Sequence, residues 1–182
     1  MDTGANHADL TAESAAIPAE MKQAAAFFGK DFLRDVDEKE FYEHIGQIRK
    51  QTGDRAVLRA MHFFDDDRLA AEEAQALYAG DFERFKGMIL ASGRSSFQRL
   101  QNVFAVVNPQ EQGISLALAL SERLLAGKGA WRVHGGGFAG TIQAFVPLDS
   151  LEEYRDAMER VFGPGTCYTL SIRQPGGTKV EL

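Results

Sequence analysis

Four glycines, Gly135, Gly136, Gly137 and Gly140, fall within six residues, and strand-forming residues flank the segment 133–141 (VHGGGFAGT) that holds them. Glycine is needed where the backbone takes a positive φ or lies directly against a ligand or another chain segment. Such a loop has two readings. It is either a tight, bulged link between two strands with no ligand, or a cradle whose successive N–H groups point at an anion such as phosphate. Gly135, Gly137 and Gly140 also satisfy G-x-G-x-x-G. A dinucleotide turn, however, must open a helix whose N-terminus faces the pyrophosphate. Residues 141–147 (TIQAFVP) are instead β-branched, aromatic and closed by proline, which argues against a Rossmann oxidoreductase.

Other residues capable of chemistry carry less. His7, His44, His62 and His134 show no metal-ligand spacing, and Cys167 is remote from them in sequence. Structural roles are expected for all five. Asp65-Asp66-Asp67 has the composition of a Mg²⁺ cluster, but consecutive helical residues point in different directions, so a solvated helix face is expected. Ser92-Gly93-Arg94-Ser95-Ser96 has phosphate-loop composition without a preceding strand or a lysine, and reads as a break between helices.

Residues 18–126 are helical in pattern almost throughout. Pro18 suits a first turn, and Gly29 closes the helix that follows. Asp37 is placed to cap a helix over 38–51, Asp54 one reaching residue 78 after Gly53, and Asp81 a shorter one that stops at Ser92-Gly93. Further helical pieces fall near 95–104 and 110–126, on either side of Asn108-Pro109. The period then changes. Residues 131–133 and 141–146 read as strands on either side of the glycine loop. A helix capped by Asp149 or Ser150 follows, and 167–172 (CYTLSI) reads as a third strand. Helices followed by strands predict an α+β fold with helices packed on one face of a small antiparallel sheet.

At 182 residues, the chain is long enough for one domain with a real core. One cysteine excludes a disulfide-stapled scaffold. Twenty Lys+Arg against 26 Asp+Glu leave a net charge of −6, so neither nucleic acid nor an anionic membrane is the expected partner. The first ten residues lack a basic region followed by an apolar run, so a cytoplasmic location is expected. The longest apolar stretch, residues 114–120 (ISLALAL), falls far short of the ~20 needed to span a bilayer.

Several segments, taken in order, resemble the carboxyl-terminal portion of bacterial galactokinases, members of the GHMP kinases. They are residues 2–11 (DTGANHADLT), 16–22 (AIPAEMK), 33–36 (LRDV), 53–64 (GDRAVLRAMHFF), 95–102 (SSFQRLQN) and 132–147 (RVHGGGFAGTIQAFVP). The last is similar to the third signature motif of these kinases.

The resemblance implies a ferredoxin-like GHMP carboxyl-terminal domain over residues 18–182. Residues 1–17 would be the segment leaving an amino-terminal domain. ATP and Mg²⁺ would drive phosphorylation of galactose at its anomeric hydroxyl in a cleft between the two domains. Gly135, Gly136, Gly137, Phe138 and Gly140 would form the wall on this side. The phosphate loop, the Mg²⁺ carboxylate and the catalytic aspartate would lie in the other half, so this chain alone is expected to be inactive. Its expected partners are that half or a second copy of itself. Galactokinases commonly carry a sugar-contacting tyrosine where this chain has Ser14, and a glycine where it has Ala139. The alternative is a stand-alone, non-catalytic GHMP-like module that binds a protein or ligand through the uncovered face.

Overall fold

The computed structural model describes residues 1–4, 10–138 and 140–171. His7, Ala139 and Ile172 lie outside them.

Six helices and one β-hairpin make up the described fold: α1 (Thr11–Ala26), α2 (Glu38–Thr52), α3 (Asp54–Tyr78), α4 (Phe82–Ser95), α5 (Gly113–Leu125), β1 (Ala130–Val133), β2 (Ile142–Phe145) and α6 (Leu151–Phe162). This is the α+β class that the change of period predicts. The strands pair antiparallel, with Ala130 opposite Phe145 and Val133 opposite Ile142. Side chains alternate across a strand, and the hairpin is covered on both faces. Ala130 and Phe145 meet Phe85, Met88 and Ile89 of α4. Trp131, Val133, Ile142 and Ala144 meet Ile114, Ala117 and Leu125 of α5 and Tyr154 and Met158 of α6. The one-sided packing expected from sequence leaves out the cover that α4 provides. A separate core joins α1, α2 and α3 through Ala24, Ala25, Phe41, Ile48, Val57 and Phe64.

Several caps follow the sequence. Asp37 accepts from the Glu40 N–H at 2.9 Å, and Asp81 accepts from the Arg84 N–H at 3.0 Å. Others do not. α1 begins at Thr11, so Pro18 is interior, with seven helical residues before it. Asp54 does not cap α3. Gly53 holds that position, and the Asp54 carboxylate pairs with Arg49 instead. Ser150 precedes α6 without a side-chain cap.

The expected break at Ser92-Gly93 is absent, because α4 continues through Gly93 to Ser95 and runs on as a π-helical turn, Ser96–Leu100. Gly93 serves packing rather than termination. A Cβ there would lie 3.0 Å from the Trp131 carbonyl oxygen and 3.1 Å from Arg132 Cβ. Cys167 and the four residues after it are not assigned to a strand. Another segment joins the hairpin instead. Met1 and Ile142 exchange backbone hydrogen bonds at 3.0 and 3.1 Å, Asp2 bridges Thr141, and the Thr3 N–H donates to the Gly140 carbonyl at 2.6 Å. No described helix is long and apolar enough to cross a membrane.

Candidate functional site

The glycine loop joins β1 to β2 and launches no helix, so the dinucleotide reading is excluded by geometry as well as by sequence. Both ends of the loop are anchored. The His134 N–H donates to the Thr141 carbonyl at 3.1 Å, and the Phe138 N–H donates to the Asn102 carbonyl at 2.7 Å. Between these anchors, the N–H groups of Gly135, Gly136 and Gly137 form no main-chain hydrogen bond among the described residues. Gly135 and Gly136 are exposed, while Gly137, Phe138 and Gly140 are buried. Positive φ occurs at Gly135 (61°), Gly137 (74°) and Gly140 (82°), and also at Phe138 (52°), which has no glycine freedom. Gly136 does not need that region, so its smallness matters only for what approaches it.

A cavity of about 430 Å³ opens beside the loop, lined by Leu10, Phe104, Val107, Glu111, Ile114 and Phe138 among others. Among the described residues of the loop, Phe138 is the one that lines this cavity. Val107 of this lining is 71% exposed, and its chain neighbour Val106 is 64% exposed. The described lining of this recess mixes apolar side chains with Asn108 and Glu111 and reaches the loop at Phe138, while the Gly135 and Gly136 amides stand exposed on the loop, an arrangement able to admit a small polar ligand.

Ser14 lies in the first turn of α1 and is exposed. The described hydrogen bonds link it to Leu10 and not to the loop. Among the described residues, no group of three or more His, Cys, Asp or Glu could hold a metal ion. His44 is bonded to the Glu40 carbonyl, and His134 is exposed beside the loop.

The aspartate run differs from the solvated face expected of it. Asp65 pairs with Arg68 and Arg99, and Asp66 bonds to Ser92 and lies 4.0 Å from both His62 and Arg132; only Asp67 faces solvent. His62 is buried, with Nδ1 3.0 Å from Ser95 Oγ. Burial holds it below the ordinary imidazole range, and nearby Arg132 and Arg99 add to that effect against the opposing pull of Asp66. This polar cluster ties α3 and α4 to Arg132, one residue before the glycine loop begins. Sequence alone could not have found it, because its members are up to 70 residues apart.

No family model matches the chain. Galactokinase from Mannheimia succiniciproducens is 30% identical over 132 residues, which is 72% of this chain and 32% of that protein. Galactokinase from Glaesserella parasuis is 28% identical over 155 residues, 85% of this chain and 38% of that protein. In structure, Lactococcus lactis galactokinase complexed with galactose superposes with a TM-score of 0.64 at 21% identity, covering 88% of this chain and 40% of that one. Across most of its own length, and over 32–40% of theirs, the chain is therefore similar to galactokinases in sequence and fold, as a carboxyl-terminal portion of that family would be.

Proposed function

We propose that this chain supplies one wall of a galactokinase-like, ATP-dependent sugar kinase site, with residues 18–182 acting as the GHMP carboxyl-terminal domain. The observation that supports this reading is the glycine loop, whose Gly135, Gly136 and Gly137 amides form no main-chain hydrogen bond among the described residues and whose Phe138 lines the cavity. In the proposed site, these amides face a phosphate oxygen or a sugar hydroxyl. Gly136 admits the ligand closely, and Phe138 bounds the recess. ATP supplies the phosphoryl group when bound. The described residues offer no cluster that fits Mg²⁺, so no step is assigned to the metal through this chain.

Phosphoryl transfer depends on positioning and on electrostatic stabilisation by a cradle, a metal and cationic groups. A single amide-lined wall supplies part of the cradle alone, so on this reading the chain is inactive without a complementary amino-terminal half. Val106 and Val107 are among the exposed apolar residues and, next to the cavity that Val107 lines, are the ones that such a half, or a second copy, would cover on this reading. The test is ATP-dependent galactose phosphorylation by the purified chain, alone and co-expressed with an amino-terminal galactokinase half. Activity only in the combined sample is expected. Turnover by the chain alone would overturn the division of labour, and no turnover of any hexose in the combined sample would overturn the kinase reading.

A further inference from the structure

Asn102 is fully buried, yet neither its Nδ2 nor its Oδ1 has a hydrogen-bond partner among the described residues. Its carbonyl is committed to the glycine loop through the Phe138 N–H at 2.7 Å. Its carboxamide lies directly beneath that loop, because a Cβ at Gly137 would come within 2.5 Å of Nδ2 and 2.6 Å of Cγ. Backbone strain brackets the contact. Gln101 (φ 57°) and Phe138 (φ 52°) are the two non-glycine residues with positive φ among those described, and the π-helical turn Ser96–Leu100 delivers the chain to Gln101. Strained residues and π-turns persist where surrounding structure holds them, and they gather at functional sites.

A core position that needed only volume would be better served by an apolar residue, since a buried amide without partners is destabilising. Two polar atoms unpaired among the described residues, directly under a loop with three amides that likewise find no main-chain partner there, point to an arrangement in which they find partners. We propose that Asn102 is a positioning residue of the glycine loop. Its carbonyl pins Phe138, and its carboxamide bonds to peptide groups of residues 135–138 when the loop closes on a ligand. The identity of that ligand, a sugar or a nucleotide phosphate, rests on the function proposed above; the pinning does not.

The test uses Asn102→Ala in the full chain, followed by thermal unfolding and residue-resolved amide exchange, with and without galactose and ATP-Mg²⁺. Alanine removes two unsatisfied atoms and leaves a small void. These effects oppose each other, so the unfolding midpoint should stay within about 3 °C of the parent. With ligand present, amides of residues 135–138 should exchange at least about tenfold faster in the variant than in the parent, whereas without ligand they should stay within about twofold, as should those of α3 throughout, because alanine keeps the main-chain carbonyl that holds Phe138 and removes only the carboxamide. Ligand should slow loop exchange in the parent but not in the variant. Loop exchange in the liganded variant that matches the liganded parent, or that rises in step with α3, overturns the proposal. Should the alanine variant not fold, Asn102→Leu replaces the amide with an apolar group of similar shape, and failure of both shows that Asn102 serves the core rather than the loop. A parent loop that neither ligand slows overturns the positioning role, whereas the kinase reading stands or falls separately with the reconstitution assay.

Discussion

Gly93 of α4 lies against the carbonyl oxygen of Trp131 in β1, so close that a Cβ would approach it to 3.0 Å. Helix and strand meet there through backbone, and the strand that leads into the glycine loop owes its position partly to this contact. Gly87, on the same helix, has nothing within 4 Å of an added Cβ.

Two Gly→Ala changes on α4 should therefore have opposite signs. Gly87→Ala removes unfolded-state freedom in an open helical position and should stabilise by about 0.5–1 kcal/mol. Gly93→Ala must push α4 away from β1 and should destabilise by about 1–3 kcal/mol despite the same gain in helix propensity. Urea denaturation of both variants checks the pair.

Glu20 of α1 holds two arginines of α3. Its carboxylate accepts from Arg55 Nε and from Arg59 Nη1, each at 2.9 Å, and the Arg59 side chain is only 1% exposed. Glu20→Ala would leave a buried guanidinium with the Leu100 carbonyl, at 3.3 Å, as its remaining hydrogen-bond partner among the described residues. The expected loss is about 3–5 kcal/mol, the range for breaking one side of a buried pair. Lys39 and Glu43 form an exposed pair at 3.9 Å, so Glu43→Ala should change stability by less than about 1 kcal/mol.

His62 makes stability depend on pH. Its folded-state affinity for a proton lies below that of the unfolded chain because burial disfavours the charged ring. Above about pH 6.5 both states are neutral and nothing is lost. As pH falls below that value the unfolded chain takes up a proton that the folded one resists, and stability declines. Asn at position 62 carries no titrating ring. The difference in unfolding free energy between the parent and His62→Asn should therefore shrink or reverse in favour of the variant between pH 7 and pH 5. Chemical denaturation across that range measures it.

Gly136→Ala separates fold from function. Gly136 is exposed, does not need positive φ, and has nothing within 4 Å of an added Cβ. Stability should change by less than about 0.5 kcal/mol. In the reconstituted sugar kinase assay, the methyl should raise the KM for ATP or galactose. An unchanged KM for both would remove Gly136 from the proposed wall. Gly137→Ala should instead destabilise the chain, because its Cβ runs into Asn102.

Local signals in the sequence were enough to place most of the helices and the hairpin. Asp37 and Asp81 cap where a short polar side chain precedes an amphipathic run, Gly53 ends α2, and β-branched and aromatic residues flank a glycine cluster that can only turn. Each of those features acts over a few residues, so it can be read from neighbours in the chain. The same locality explains the errors. Pro18 and Gly93 read as boundaries because their intrinsic preferences disfavour a helix interior, yet tertiary structure carries α1 through one and uses the other for close approach to β1. Asp65 and Asp66 turn inward because Arg99, Arg132, Ser92 and His62 come to them from other elements. The pairing of Met1–Thr3 beside β2, and the burial of Asn102 under Gly137, bring together residues 35 to 141 positions apart. No local propensity encodes such contacts; they exist only once the packed helices have fixed where the loop must lie.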